Sequence, residues 1–158
     1  MKRIFAALAA ALCCVSGAAT MSDPTVDQAV IEGETAPQKL SEFGFGMTAD
    51  SNRPISTVGY TLRTPLFSDY ADKNRFIYIP NGREARVAAD GTIEFPLGTV
   101  LFKSFAWADH NGGKPVETRL LIHRASGWVA LPYIWDADGK DATLALGGRR
   151  APVRCNTS

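Results

Sequence analysis

Turn residues punctuate this chain too often for long helices. Beyond residue 58 the breakers Pro80-Asn81-Gly82, Asp90-Gly91, Pro96-Leu97-Gly98, Asn111-Gly112-Gly113, Ala125-Ser126-Gly127 and Asp138-Gly139 follow one another at short intervals. Asn-Gly and Asp-Gly accept the positive φ that tight reversals need. The segments between them alternate or are continuously apolar, and none shows a sustained 3.6-residue period. Strands are predicted at 58–63, 75–79, 83–88 (paired back across Asn81-Gly82), 92–95, 99–107, 116–124, 128–135 and 141–146. The segment 99–107 is apolar on both faces, as a central strand would be. Pro132 marks part of 128–135 as an edge or a bulge. The pattern predicts an all-β fold, a β-sandwich or open barrel of roughly eight short antiparallel strands.

The first residues read as an export signal at 1–18. Lys2 and Arg3 precede an uncharged Ala- and Leu-rich run, and Ser16-Gly17-Ala18-Ala19 offers cleavage after Ala18 or Ala19. The run is short for a membrane span, so no span is expected after cleavage. Residues 19–39 read as a polar linker or arm, 40–146 as the β-domain and 147–158 as an irregular tail. Within 40–45, a short turn would lay Phe43 and Phe45 on the domain. The 17 basic residues fall to 15 without Lys2 and Arg3, against 16 acidic ones. That balance gives no basic excess for nucleic acid. Cys13 and Cys14 leave with the signal and Cys155 stays alone, so no internal disulfide is expected.

Two charged regions carry the candidate chemistry. The first is Ser68-Asp69-Tyr70-Ala71-Asp72-Lys73-Asn74-Arg75, pressed against an apolar strand. Asp69, Lys73 and Arg75 would form a salt-bridged corner or a contact surface. The second is Glu117 and Arg119, which share a strand face because alternate side chains do. A tight Ala125-Ser126 turn would put Tyr133 opposite Arg119 and Trp135 opposite Glu117. The Asn111-Gly112 loop would bring Lys103 near Arg119. Such a patch would suit a small anionic or carbohydrate-like ligand. Were the two regions to meet, Asp69 or Arg75 would lie within salt-bridge distance of a charge outside its own stretch. Asp136, Asp138 and Asp141 around Gly139 are weak calcium candidates, since the closing Glu of an EF-hand is missing. His110 and His123 lack metal-ligand spacing, and no nucleophile elbow or phosphate loop occurs. No catalytic residue is therefore assigned.

Four ordered motifs carry a resemblance. They are Tyr60-Thr-Leu-Arg-Thr-Pro-Leu-Phe-Ser-Asp-Tyr-Ala-Asp-Lys-Asn-Arg-Phe76, Phe95-Pro-Leu-Gly-Thr-Val-Leu-Phe-Lys-Ser-Phe105, Glu117-Thr-Arg-Leu-Leu121 and Tyr133-Ile-Trp-Asp-Ala-Asp-Gly-Lys-Asp-Ala142. Together they resemble the N-terminal domain of a family of exported, poorly characterised bacterial di-haem c-type cytochrome proteins. The resemblance implies a periplasmic or secreted location and a link to electron transfer. In that family a Cys-x-x-Cys-His segment follows the domain. This sequence has none, so no cofactor is expected in the chain, haem c being expected only in full-length relatives, and a truncated or stand-alone member is implied. Asp69, Lys73, Arg75, Lys103, Glu117, Arg119, Trp135 and Asp136 match recurring positions of the domain, without a known role.

The leading expectation is thus an exported accessory or binding domain, more a non-enzyme than an enzyme. Its expected partner is a c-type cytochrome or another periplasmic protein, with a small ligand as a further possibility. The rival expectation is a carbohydrate-binding or carbohydrate-active β-domain using Glu117 and Asp69 as a carboxylate pair.

Overall fold

A computed structural model describes residues 26–64, 66–68, 70–107 and 111–148. The expected signal at 1–18, and Asp69, His110 and Cys155, lie outside these residues. The fold is all-β, with eight antiparallel strands among the described residues: β1 (Val58–Gly59), β2 (Asp72–Tyr78), β3 (Arg86–Val87), β4 (Ile93–Glu94), β5 (Val100–Ala106), β6 (Pro115–Arg124), β7 (Gly127–Trp135) and β8 (Ala142–Leu144). Six form one sheet in the order β1-β2-β5-β6-β7-β8, a meander in which chain neighbours pair. The β3–β4 hairpin stands apart between β2 and β5.

That hairpin departs from the sequence expectation. The turn at Asn81-Gly82 forms, with the Arg83 N–H donating to the Pro80 carbonyl at 3.0 Å. The chain beyond it does not return to β2, because β1 and β5 already fill both edges there. It pairs forward instead, across Asp90-Gly91, onto β4. Pro132 departs too, since β7 lies inside the sheet between β6 and β8. The Pro132 carbonyl accepts from Ala145 at 2.9 Å. Having no N–H, it cannot donate back, and β8 ends at Leu144.

One face of the sheet is the core. Phe76 and Tyr78 of β2, Val100 and Phe102 of β5, Leu120 and Ile122 of β6, and Leu131, Tyr133 and Trp135 of β7 pack there. The layer that covers this face is the N-terminal segment, which contributes Ile31, Leu40, Phe43, Phe45, Met47 and Ala49. The part of the expected arm that is described is therefore packed down. It holds helix α1 (Gln28–Glu32), capped where Asp27 Oδ1 accepts from the Val30 N–H at 3.1 Å. A 3-10 turn, Leu40–Phe43, follows and ends at Gly44 with φ 74°. It lays Phe43 and Phe45 on the sheet as expected, both fully buried.

Side chains from the sheet hold this segment. Arg124 is buried, and its guanidinium donates to the carbonyls of Ile31 (3.0 Å), Val30 (3.4 Å) and Thr35 (3.5 Å). The Tyr133 hydroxyl donates to the Pro37 carbonyl at 2.9 Å. Among the described residues, no helix is long and apolar enough to cross a membrane.

Candidate functional site: a cationic face on the sheet

The opposite face of the sheet is organised in cross-strand rows. Arg75, Lys103 and Arg119 pair directly across β2, β5 and β6. The next row is Lys73, Phe105 and Glu117. Neighbouring strands run about 4.8 Å apart, so three cations stand side by side. Directly opposed like charges destabilise a sheet. A β-bulge lies at the end of the row: Phe105 pairs with Glu117 and Ala106 with Pro115, which leaves Val116 as the extra residue.

Phe105 is the floor of the site, only 8% exposed. The Lys103 ammonium stands 4.6 Å from its ring centroid and the Arg119 guanidinium 4.9 Å. Arg119 also grips Glu117 through two bonds, Nε to Oε1 at 2.6 Å and Nη2 to Oε2 at 3.1 Å. That pairing raises the Arg119 pKa. Lys103 is the opposite case. Burial, then the charges of Arg75, Arg119 and Lys73, push its pKa below the usual lysine value, with Glu117 acting against them. Keeping the Lys103 charge in this row therefore costs the folded state stability. Replacing Lys103 with Met should raise stability by about 0.5–1 kcal/mol, the scale of one relieved like-charge contact. Urea unfolding measures it, and an unchanged or lower midpoint would contradict the charge-repulsion account.

Of the two remaining cations, Lys73 orders the flanking loop and Arg75 bonds back to its own strand. Lys73 Nζ donates to the Leu66 carbonyl and, at 3.2 Å, to the Ser68 hydroxyl. Arg75 donates to the Lys73 carbonyl at 3.3 Å. The loop turns where the Ala71 N–H donates to the Ser68 carbonyl, with Tyr70 at φ 60°. A side chain adopts that left-handed conformation only at a cost of about 1 kcal/mol or more. The result is a projecting aromatic pair, Phe67 (72% exposed) and Tyr70 (90%), edge to face at 5.1 Å.

The structure thus brings together Lys73, Arg75, Lys103, Glu117 and Arg119, including the expected approach of Lys103 to Arg119. It separates Tyr133 and Trp135 from them. The Ala125-Ser126 turn has two residues, with Arg124 opposite Gly127, so Arg119 faces Pro132 and Glu117 faces Ile134. That one-residue slip turns both aromatics to the core. There the Trp135 indole donates to the Thr118 hydroxyl at 2.9 Å, and burial raises the Tyr133 pKa.

The expected cross-sheet ion pair is also corrected. Asp69 lies outside the described residues, and among those described no carboxylate is within ion-pair distance of Arg75, which faces Lys103 instead. Asp136, Asp138 and Asp141 go to separate partners. Asp136 takes the Lys39 ammonium at 2.7 Å and the Thr143 hydroxyl at 3.0 Å. Asp138 accepts from the Lys140 N–H, and Asp141 from the Ser41 N–H and hydroxyl. Among the described residues, no three His, Cys, Asp or Glu side chains are placed to hold a metal ion. Gly139 belongs to packing: at φ 68° its carbonyl meets the Ala49 N–H, and a Cβ there would come within 2.8 Å of the Ala49 side chain.

Phe105, Phe67 and Tyr70 escaped the sequence reading. Phe105 was the findable one, since it lies two residues beyond Lys103 and so on the same face. No family model, curated protein or solved structure matches the chain.

Proposed function

We propose that this chain is an exported, non-enzymatic binding domain, related to the N-terminal half of a c-type cytochrome, that docks a partner of periplasmic electron transfer through the outer face of its sheet. One observation carries the reading. Arg75, Lys103 and Arg119 stand in a single row with Lys73 beside them, while Glu117, the carboxylate of that cluster among the described residues, is already bound to Arg119. The row costs the fold stability, and its field favours an acidic surface and speeds encounter with it. The exposed Phe67 and Tyr70 give such a partner an apolar contact beside the charges. The partner is a c-type cytochrome or another periplasmic protein with an acidic patch. The carbohydrate-active alternative would need Glu117 to handle a proton, whereas both its oxygens accept from Arg119.

The test is association with a purified c-type cytochrome from the same source, followed at rising salt. Arg75→Glu combined with Lys103→Met should cut the association rate about 10–100-fold at low salt with the melting temperature equal to or above that of the natural chain. Association that ignores both salt and these substitutions would reject the docking face.

A further inference from the structure

The inner end of the cationic face is a cleft of about 390 Å³, with Lys103, Phe105, Glu117 and Arg119 on its floor and walls and Phe67 and Trp107 at its sides. That volume falls in the range of ligand sites. Its charges are incompletely satisfied. Among the described residues the Lys103 ammonium contacts the Phe105 ring and meets no carboxylate. Arg119 gives Nε and Nη2 to Glu117, and its guanidinium has further N–H groups for another acceptor.

We infer that this cleft binds a carboxylate carried on a flat apolar body. The charge of the described lining selects the anion: there Lys103 and Arg119 against Glu117 leave one net positive charge, with Arg75 and Lys73 close by, which favours a monoanion. A phosphate dianion would bring a second charge beside the Glu117 carboxylate. The exposed ring at the side of the cleft selects the body, since an apolar ring laid against Phe67 loses water from both surfaces. The carboxylate then meets the Lys103 ammonium and the remaining N–H groups of Arg119 as charge-assisted bonds.

The inference rests on the same face as the docking reading, and benzoate is a probe that separates them. In amide ¹⁵N–¹H spectra of the full chain, benzoate should shift the signals of Lys103, Phe105, Glu117 and Arg119. Benzamide, which keeps the shape without the charge, should bind at least ten-fold more weakly, and phenyl phosphate more weakly than benzoate. Lys103→Met, expected to be at least as stable as the natural chain, should abolish the benzoate response, and Lys140→Met, remote on the Asp138 turn, should leave it intact. A capped peptide with Asp beside Phe distinguishes the source. Binding as tight as benzoate assigns the carboxylate to a partner chain, and binding of benzoate alone assigns it to a small molecule. Equal binding of benzamide, or shifts scattered outside the cleft, would overturn the inference. Arg75→Glu lies outside the cleft. Loss of salt-dependent cytochrome association in that variant with the benzoate response intact keeps the site. Salt-sensitive association with no benzoate response removes the site and leaves docking standing.

Discussion

Truncating Phe45 to Ala should lower stability by about 3–5 kcal/mol, a large share of the roughly 5–15 kcal/mol that holds a domain together. The ring is 1% exposed and stands edge-on to Phe102 at 4.8 Å and to Tyr78 at 5.2 Å, with Phe43 tilted beside it at 6.4 Å. It therefore joins the N-terminal segment to β2 and β5. The core face of the sheet is covered by short turns and not by a second sheet, so the hold of that cover comes from a few large side chains. Alanine removes the ring area and leaves a void that strand backbones cannot close. Phe45→Leu, which fills much of the space, should lose clearly less. Urea unfolding reads both as a lower midpoint at constant slope. A loss below about 1 kcal/mol for Phe45→Ala would contradict the segment's role as the covering layer.

How far the sequence reveals this arrangement depends on the distance over which each feature is set. The pairing of Lys103 with Arg119 is legible because a local loop at Asn111-Gly112 joins their strands. Turn chemistry fixes register only to within a residue, however. At Ala125-Ser126 one residue decided which face Tyr133 and Trp135 take. The position of Arg75 opposite Lys103 could not be read locally at all. The β3–β4 hairpin intervenes, so tertiary packing sets the β2–β5 register. That is why an attractive ion network was expected where a row of like charges stands. The covering segment is hidden for a similar reason. Its helix has five residues and its 3-10 turn four, too few for a periodic signal. Their order comes from what they pack against. The aspartates of 136–141 show the reverse error. Their spacing looks like a metal loop, yet each answers a local need: a lysine, a turn amide or the start of the 3-10 turn.

Arg124 should prove as costly to replace as Phe45, for a different physical reason. It is 1% exposed and carries its charge into the interior. Among the described residues it meets no carboxylate, only the carbonyls of Ile31, Val30 and Thr35. Two of these belong to the last turn of α1, where carbonyls lack helical partners and the helix end is negative. The planar fork reaches three carbonyls from one side chain, which an ammonium cannot copy. Arg124→Ala leaves those carbonyls buried and unmet, at about 1–3 kcal/mol each for the poorly hydrated ones, so a total loss of about 3–5 kcal/mol is expected. Arg124→Lys, which keeps the charge and loses the fork, should recover no more than half. Hydrogen exchange adds a local readout. The Gly33 amide, bonded to the Ala29 carbonyl at 2.9 Å, should lose protection in Arg124→Ala before the β5 and β6 amides do. Loss of protection in all of these at once would mean that the helix and the sheet unfold as a single unit, and Arg124 would then be a core residue and not the clasp of its covering layer.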